Sequence, residues 1–133
     1  ACPHQGPGLA IGADGVRHAV WYEAKNGPTI WYGQLDPDHP AKHKLKIGGA
    51  GAGHADVAAH DHTVWVAWNQ VDAKGYTLML RRSTDNGVHF DAPRAISHID
   101  GAAGSPQLLQ WQGRAYVAWN TSAGFRLIPA EVQ

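Results

Sequence analysis

Nine histidines, a single cysteine and a scatter of carboxylates are the residues with chemistry to offer. Imidazole, thiolate and carboxylate are all ligands for a divalent metal. His4, His54 and Asp56, with Cys2 as a further donor, form one candidate set. Their separations match no metal-binding spacing, so only the fold can gather them. His4, His54, Asp56, Ser105 and Gln107 form the candidate ligand-binding rim, and the plain alternative is that they line a wet polar channel. The expectation is no cofactor, with a divalent metal as the other possibility. His60 and His62 stand at i and i+2 beside a turn and read as surface residues, whereas His18 reads as a packed strand residue.

Gathering residues so far apart requires a repeat. Three segments superpose without gaps: Asp14 to Trp21, Asp61 to Trp68 and Gln112 to Trp119. In each, a two-residue turn begins seven positions before the tryptophan, and the tryptophans recur at 47 and 51 residues. Every repeat opens with a short strand (Leu9-Ala10-Ile11, Asp56-Val57-Ala58, Gln107-Leu108-Leu109) and continues with the Trp strand. A third strand follows at Thr29 to Gln34, Thr77 to Arg82 and Phe125 to Pro129. A fourth is expected at Lys44-Leu45-Lys46-Ile47 and Arg94-Ala95-Ile96, and the third repeat has none. The Trp strand of the second repeat is apolar on both faces, with Val64, Val66 and Trp68 on one and Trp65 and Ala67 on the other. Side chains alternate along a strand, so both faces need covering. A propeller blade between two neighbours meets that need. The expected units are about 1–49, 50–100 and 101–133.

The second repeat carries Ser83-Thr84-Asp85-Asn86-Gly87-Val88-His89-Phe90 between its third and fourth strands, matching Ser-x-Asp-x-Gly-x-x-aromatic. Asp85 can accept from backbone N–H groups of its own turn. Gly87 permits a positive φ, and Phe90 can fold back as an apolar plug. Ser83, Asp85, Gly87 and Phe90 therefore read as a hairpin staple, not as nucleophile and base. On this motif and the repeat around it, the chain resembles the sialidase-like superfamily of Asp-box (BNR) β-propellers. Its opening, Cys2-Pro3-His4-Gln5-Gly6-Pro7-Gly8 before Leu9-Ala10, is similar to the start of the fourth of six blades in bacterial sialidase-like proteins. The first repeat has only Leu35-Asp36-Pro37-Asp38-His39 in the equivalent hairpin.

The resemblance implies an all-β chain of three four-stranded antiparallel blades, the last incomplete, forming half of a six-bladed propeller. Three blades do not close a ring. A second copy of the chain or a missing N-terminal half is the expected partner. Asp boxes face away from the sialidase active site, which points to the opposite rim, where Glu23, Lys25, Asn69, Asp72, His98, Asp100 and Asn120 join the five residues above and Cys2. Sialoside hydrolysis needs an arginine triad, a Tyr nucleophile with a Glu partner, and an Asp acid/base. The arginines at 17, 81, 82, 94, 114 and 126 assemble only a poor triad, and Tyr116 lies mid-strand. The reading leans to a non-catalytic module that binds a carbohydrate or protein, with an exo-sialidase-type fragment as the alternative and a metal-dependent activity at the His/Asp/Cys rim third. A periplasmic or secreted location follows from the resemblance. Eleven Lys and Arg balance eleven Asp and Glu, which argues against nucleic acid or an anionic membrane as partner. No apolar run approaches the roughly 20 residues of a membrane-spanning helix.

Overall fold

The computed structural model describes residues 5–36 and 38–131. They form three antiparallel sheets. The first contains β1 (Gly8–Ile11), β2 (Arg17–Glu23), β3 (Thr29–Asp36) and β4 (His39–Gly48) in sequence order. The second contains β5 (Ala52–His60), β6 (Thr63–Asp72), β7 (Gly75–Ser83) and β8 (Arg94–Ile99), also in sequence order. The third has three strands, β9 (Gln107–Trp111), β10 (Arg114–Thr121) and β11 (Gly124–Pro129). The sheets thus occupy 8–48, 52–99 and 107–129, with the first strand of each nearest its counterpart in the next.

The turn that begins each Trp strand has a local cause. Asp14, Asp61 and Gln112 occupy the same repeat position, and all three are left-handed, with φ of 59°, 50° and 52°. A two-residue hairpin with this backbone matches the twist of its flanking strands. The Asp14-Gly15 and Gln112-Gly113 pairs are left-handed at both residues.

The second sheet is buried on both faces, in the alternation expected from its sequence. Val64, Val66 and Trp68 pack with Val20, Ile30, Tyr32 and Ile47 of the first sheet. Trp65 and Ala67 turn the other way, joining Leu78, Leu80, Ala115, Val117 and Trp119. Trp65, Trp68 and Trp119 are each no more than 1% exposed. Truncating a side chain of that size to alanine costs about 3–5 kcal/mol, so these rings dominate the cohesion between sheets. Their indole nitrogens are satisfied too: Trp65 Nε1 donates to Glu131 at 3.0 Å and Trp119 Nε1 to Asn69 at 2.9 Å.

Arginines also tie neighbouring sheets. Arg81 donates to the carbonyls of Lys46 and Ile47 at 3.3 and 3.2 Å. Arg126 donates to Ser97 Oγ and the His98 carbonyl, both at 2.9 Å. β4 and β5 differ most from the sequence expectation. β4 is longer and runs through register shifts against β3. β5 begins at Ala52, four residues before Asp56, and shifts register between Gly53 and Asp56.

Candidate functional site

The two rims of the stack differ in character. On one side lie the turns that open the Trp strands, together with the 83–90 hairpin. Ala13 N donates to the Asp61 carbonyl, Asn86 N to the His62 carbonyl and Asn86 Nδ2 to the Ala13 carbonyl. Within the hairpin, Ser83 Oγ accepts from Gly87 N at 2.9 Å and donates to Asp85 Oδ1 at 2.8 Å. Asp85 also accepts from His89 N at 2.9 Å and pairs with His89 Nδ1 at 2.7 Å. Its carboxyl is held well below the usual range, first by the His89 backbone N–H, then by the His89 ring and the Ser83 hydroxyl. Gly87 has φ of 87°, and a Cβ there would run into the Tyr32 hydroxyl. Phe90 meets the Tyr32 ring edge-on at 4.9 Å. These groups are engaged with one another, and the arrangement is that of a staple. His60 and His62 are exposed on this same side.

Beneath the hairpin, His18 is fully buried, and its Nδ1 lies 2.6 Å from the Tyr32 hydroxyl. Neither His18 Nε2 nor Asn86 Oδ1 has a hydrogen bond of good geometry, although both border Gly12. Burial lowers the pKa of the imidazole, with Asn86 acting in the opposite direction. His18 is the packed strand residue that its position predicts.

On the opposite rim the lead-ins to β1 and β9 and the first half of β5 converge on a cleft of about 290 Å³ lined by Gln5, His54, Asp56, Ser105 and Gln107 with their neighbours. Four of the five rim residues singled out in the sequence therefore meet here. His4 and Cys2 lie outside the described residues. His54 Nδ1 and Ser105 Oγ are 3.0 Å apart across the second and third sheets. His54 is left-handed, with φ of 55°, and its backbone N–H donates to Gln5 Oε1 at 2.7 Å. The register shift in β5 falls at this residue, so the strand is bent where it meets the cleft. Bulges of this kind re-aim side chains.

Asp56 has two duties. Its Oδ2 accepts from Leu108 N at 2.8 Å, tying the second sheet to the third, and Oδ1 lies against Gly8 of the first, where a Cβ would fall 3.0 Å away. Burial raises the Asp56 pKa, while the backbone N–H groups of Leu108 and Val57 act in the opposite direction. The carboxyl thus sits where all three inner strands meet. Among the described residues, no group of three or more His, Cys, Asp or Glu is placed to hold a metal ion, although His54 and Asp56 share the cleft.

The other rim residues do not join this site. Asn69 is fully buried and serves as a tie, accepting from Trp119 and donating to the Gly104 carbonyl at 2.9 Å. Glu23 accepts from Trp21 Nε1 at 2.7 Å beside Lys44 and Lys25, at a separate cleft of the first sheet. His98 is hydrogen-bonded to Thr77 and Asp100. None of the six arginines lines the polar cleft, so the described residues hold no arginine triad there. Gln5 is the one polar side chain of the lining that sequence reasoning missed. Its only signal is its place just before β1, as Ser105 stands just before β9.

No protein-family model and no curated protein matches the sequence. Solved structures do match in shape. One is an exo-1,5-alpha-L-arabinanase from a bovine ruminal metagenomic library, with a TM-score of 0.61 and 15% identity. Another is an alpha-L-arabinanase of Cellvibrio cellulosa complexed with arabinohexaose, with a TM-score of 0.56 and 11% identity. Each comparison covers 100% of this chain but only 57% of the other. These neighbours are β-propeller enzymes. At such identities the likeness shows the fold alone: this chain is a set of three consecutive propeller-type sheets.

Proposed function

We propose that the chain is the ligand-bearing part of a carbohydrate-binding β-propeller, and that the sugar is held at the Gln5–His54–Asp56–Ser105–Gln107 cleft. The observation that carries this reading is the convergence of segments from all three sheets on one polar cleft, with amide, imidazole, hydroxyl and carboxyl groups within reach of each other. Sugar hydroxyls are both donors and acceptors, and this lining offers both. The solved structures of similar shape are arabinanases, one holding arabinohexaose, so an arabinose oligomer is the first ligand to try. Further blades complete the ring around the cleft. The sialidase-like resemblance carries an exported location with it.

A second reading, a glycoside hydrolase fragment, is favoured by the burial-raised carboxyl of Asp56, since a general acid needs a raised pKa. Glycoside hydrolysis requires two carboxyl groups, and Asp56 is the single one among the described residues lining the cleft. A sialidase-type activity is favoured by the 83–90 staple and needs arginines brought by other blades.

The test is calorimetric titration of the purified chain with arabinohexaose and, separately, sialyllactose, alongside a reducing-end assay. Binding of one sugar without hydrolysis, lost in Ser105→Ala, is the expected result. Hydrolysis would favour the second reading. No binding of either sugar would remove the carbohydrate reading.

A further inference from the structure

The bend in β5 has an unusual occupant. Gly53 pairs with Asn69 and Asp56 with Ala67, so His54 and Ala55 stand opposite Trp68 alone. Two residues against one is a β-bulge, and where its first residue is left-handed that residue is ordinarily glycine. Here it is His54, with φ of 55°. A side chain in that backbone region persists only where its surroundings hold it.

The hold comes from the first sheet. His54 has no register partner in the ladder, and its N–H donates to Gln5 Oε1 at 2.7 Å. A backbone N–H only donates, so the atom it meets on the amide is the carbonyl oxygen. Gln5 is half-buried and lies just before β1, 49 residues from its partner. Gly53 makes room for it. A Cβ at residue 53 would fall 3.2 Å from Gln5 Nε2 and 3.3 Å from Oε1, so the amide lies against bare backbone. Beyond the bulge, the His54 ring meets the third sheet, with Nδ1 3.0 Å from Ser105 Oγ. One residue from each sheet thus stands in line: Gln5, His54, Ser105.

We propose that Gln5 is a positioning residue of the cleft. Its side-chain oxygen holds the β5 bulge in the left-handed form, and that form presents the His54 imidazole to Ser105 and to a bound sugar. Bulges re-aim side chains in this way beside functional sites. That the imidazole serves a sugar rests on the carbohydrate reading of the cleft. That Gln5 holds the bulge does not.

The experiment combines amide hydrogen exchange by NMR with calorimetric titration of arabinohexaose, both on the purified chain. Gln5→Leu removes the acceptor, and the His54 amide then exchanges roughly 10-fold faster or more, while the amides of Val64 and Val66 keep their wild-type rates. Gln5→Glu keeps an acceptor oxygen and restores slow exchange. Gly53→Ala pushes the amide aside and behaves as Gln5→Leu does. Gln5→Leu and Ser105→Ala each weaken arabinohexaose binding roughly 10-fold, and the double variant loses less than the product of the two, because both act through His54. An unchanged His54 exchange rate in Gln5→Leu overturns the proposal. So do affinity losses that multiply in full, and so does faster exchange at Val64 and Val66 as well, which would make Gln5 a prop of the whole fold. If the wild type binds no arabinohexaose, the carbohydrate reading fails, and the exchange rates alone decide whether Gln5 holds the bulge.

Discussion

The rim with the 83–90 hairpin and the rim with the polar cleft are built from the same repeats, yet they spend their polar groups differently. On the hairpin side, Ser83, Asp85 and His89 bond to one another and to their own backbone. On the cleft side, His54, Ser105 and Gln107 share one side-chain bond among them and face a cavity. Groups that satisfy each other stabilise a turn. Groups left facing a cavity are free to bind something else. The contrast in how the two rims use their polar groups does not come from residue type, since both rims hold serine, aspartate and histidine.

The comparison breaks most visibly at Gly87. A Cβ there meets Tyr32, and the backbone has positive φ. Gly87→Ala is expected to cost about 2–4 kcal/mol, the range of overpacking combined with backbone strain. Urea denaturation of the variant measures it. A loss below 0.5 kcal/mol would mean that the hairpin is not a staple.

Acid sharpens the comparison next. Burial lowers the His18 pKa below its ordinary 6.5. As pH falls through and below that value, the unfolded chain takes up a proton that the fold resists, so stability declines. Asp85 has a depressed pKa as well, so its contribution is present above 3.8 and is lost on further acidification through its folded value. Asp56, on the cleft side, has the opposite sign. Its raised pKa contributes stability below 3.8 that is lost as pH rises through the folded value. Urea midpoints between pH 7.5 and 5 should fall for the wild type and stay flatter for His18→Gln. An equally steep fall in that variant would move the effect away from His18.

The smallest effect on folding belongs to His54. Asparagine tolerates its left-handed backbone, so His54→Asn should change stability by no more than about 0.5 kcal/mol, as surface changes do. A larger loss by thermal melting would assign His54 to the scaffold and not to the cleft.

The repeat was legible because tryptophan and turn residues punctuate it: the position shared by Asp14, Asp61 and Gln112 is left-handed each time. The two-sided burial of β6 was legible for the same reason, since alternation leaves its valines and tryptophans no solvent face. His54, Asp56, Ser105 and Gln107 could be read onto one rim because each precedes or begins an expected inner strand, although His54 and Asp56 lie inside β5 as it forms. The bend at His54 was not legible. Histidine is enriched in left-handed backbone but adopts it at a small minority of its positions, so His54 alone announces no bend, and the early start of β5 at Ala52 comes with that irregularity. Asn69 was misplaced as a rim group. Its burial depends on Trp119 and Gly104, partners 50 and 35 residues away, and no local pattern announces such a tie.

The third sheet ends at β11, and among the described residues no strand pairs with its outer side. Its amide and carbonyl groups form an open template there. That edge can take up a further strand through its backbone groups alone, from whatever chain or segment the strand comes, because main-chain pairing asks for no particular side chains.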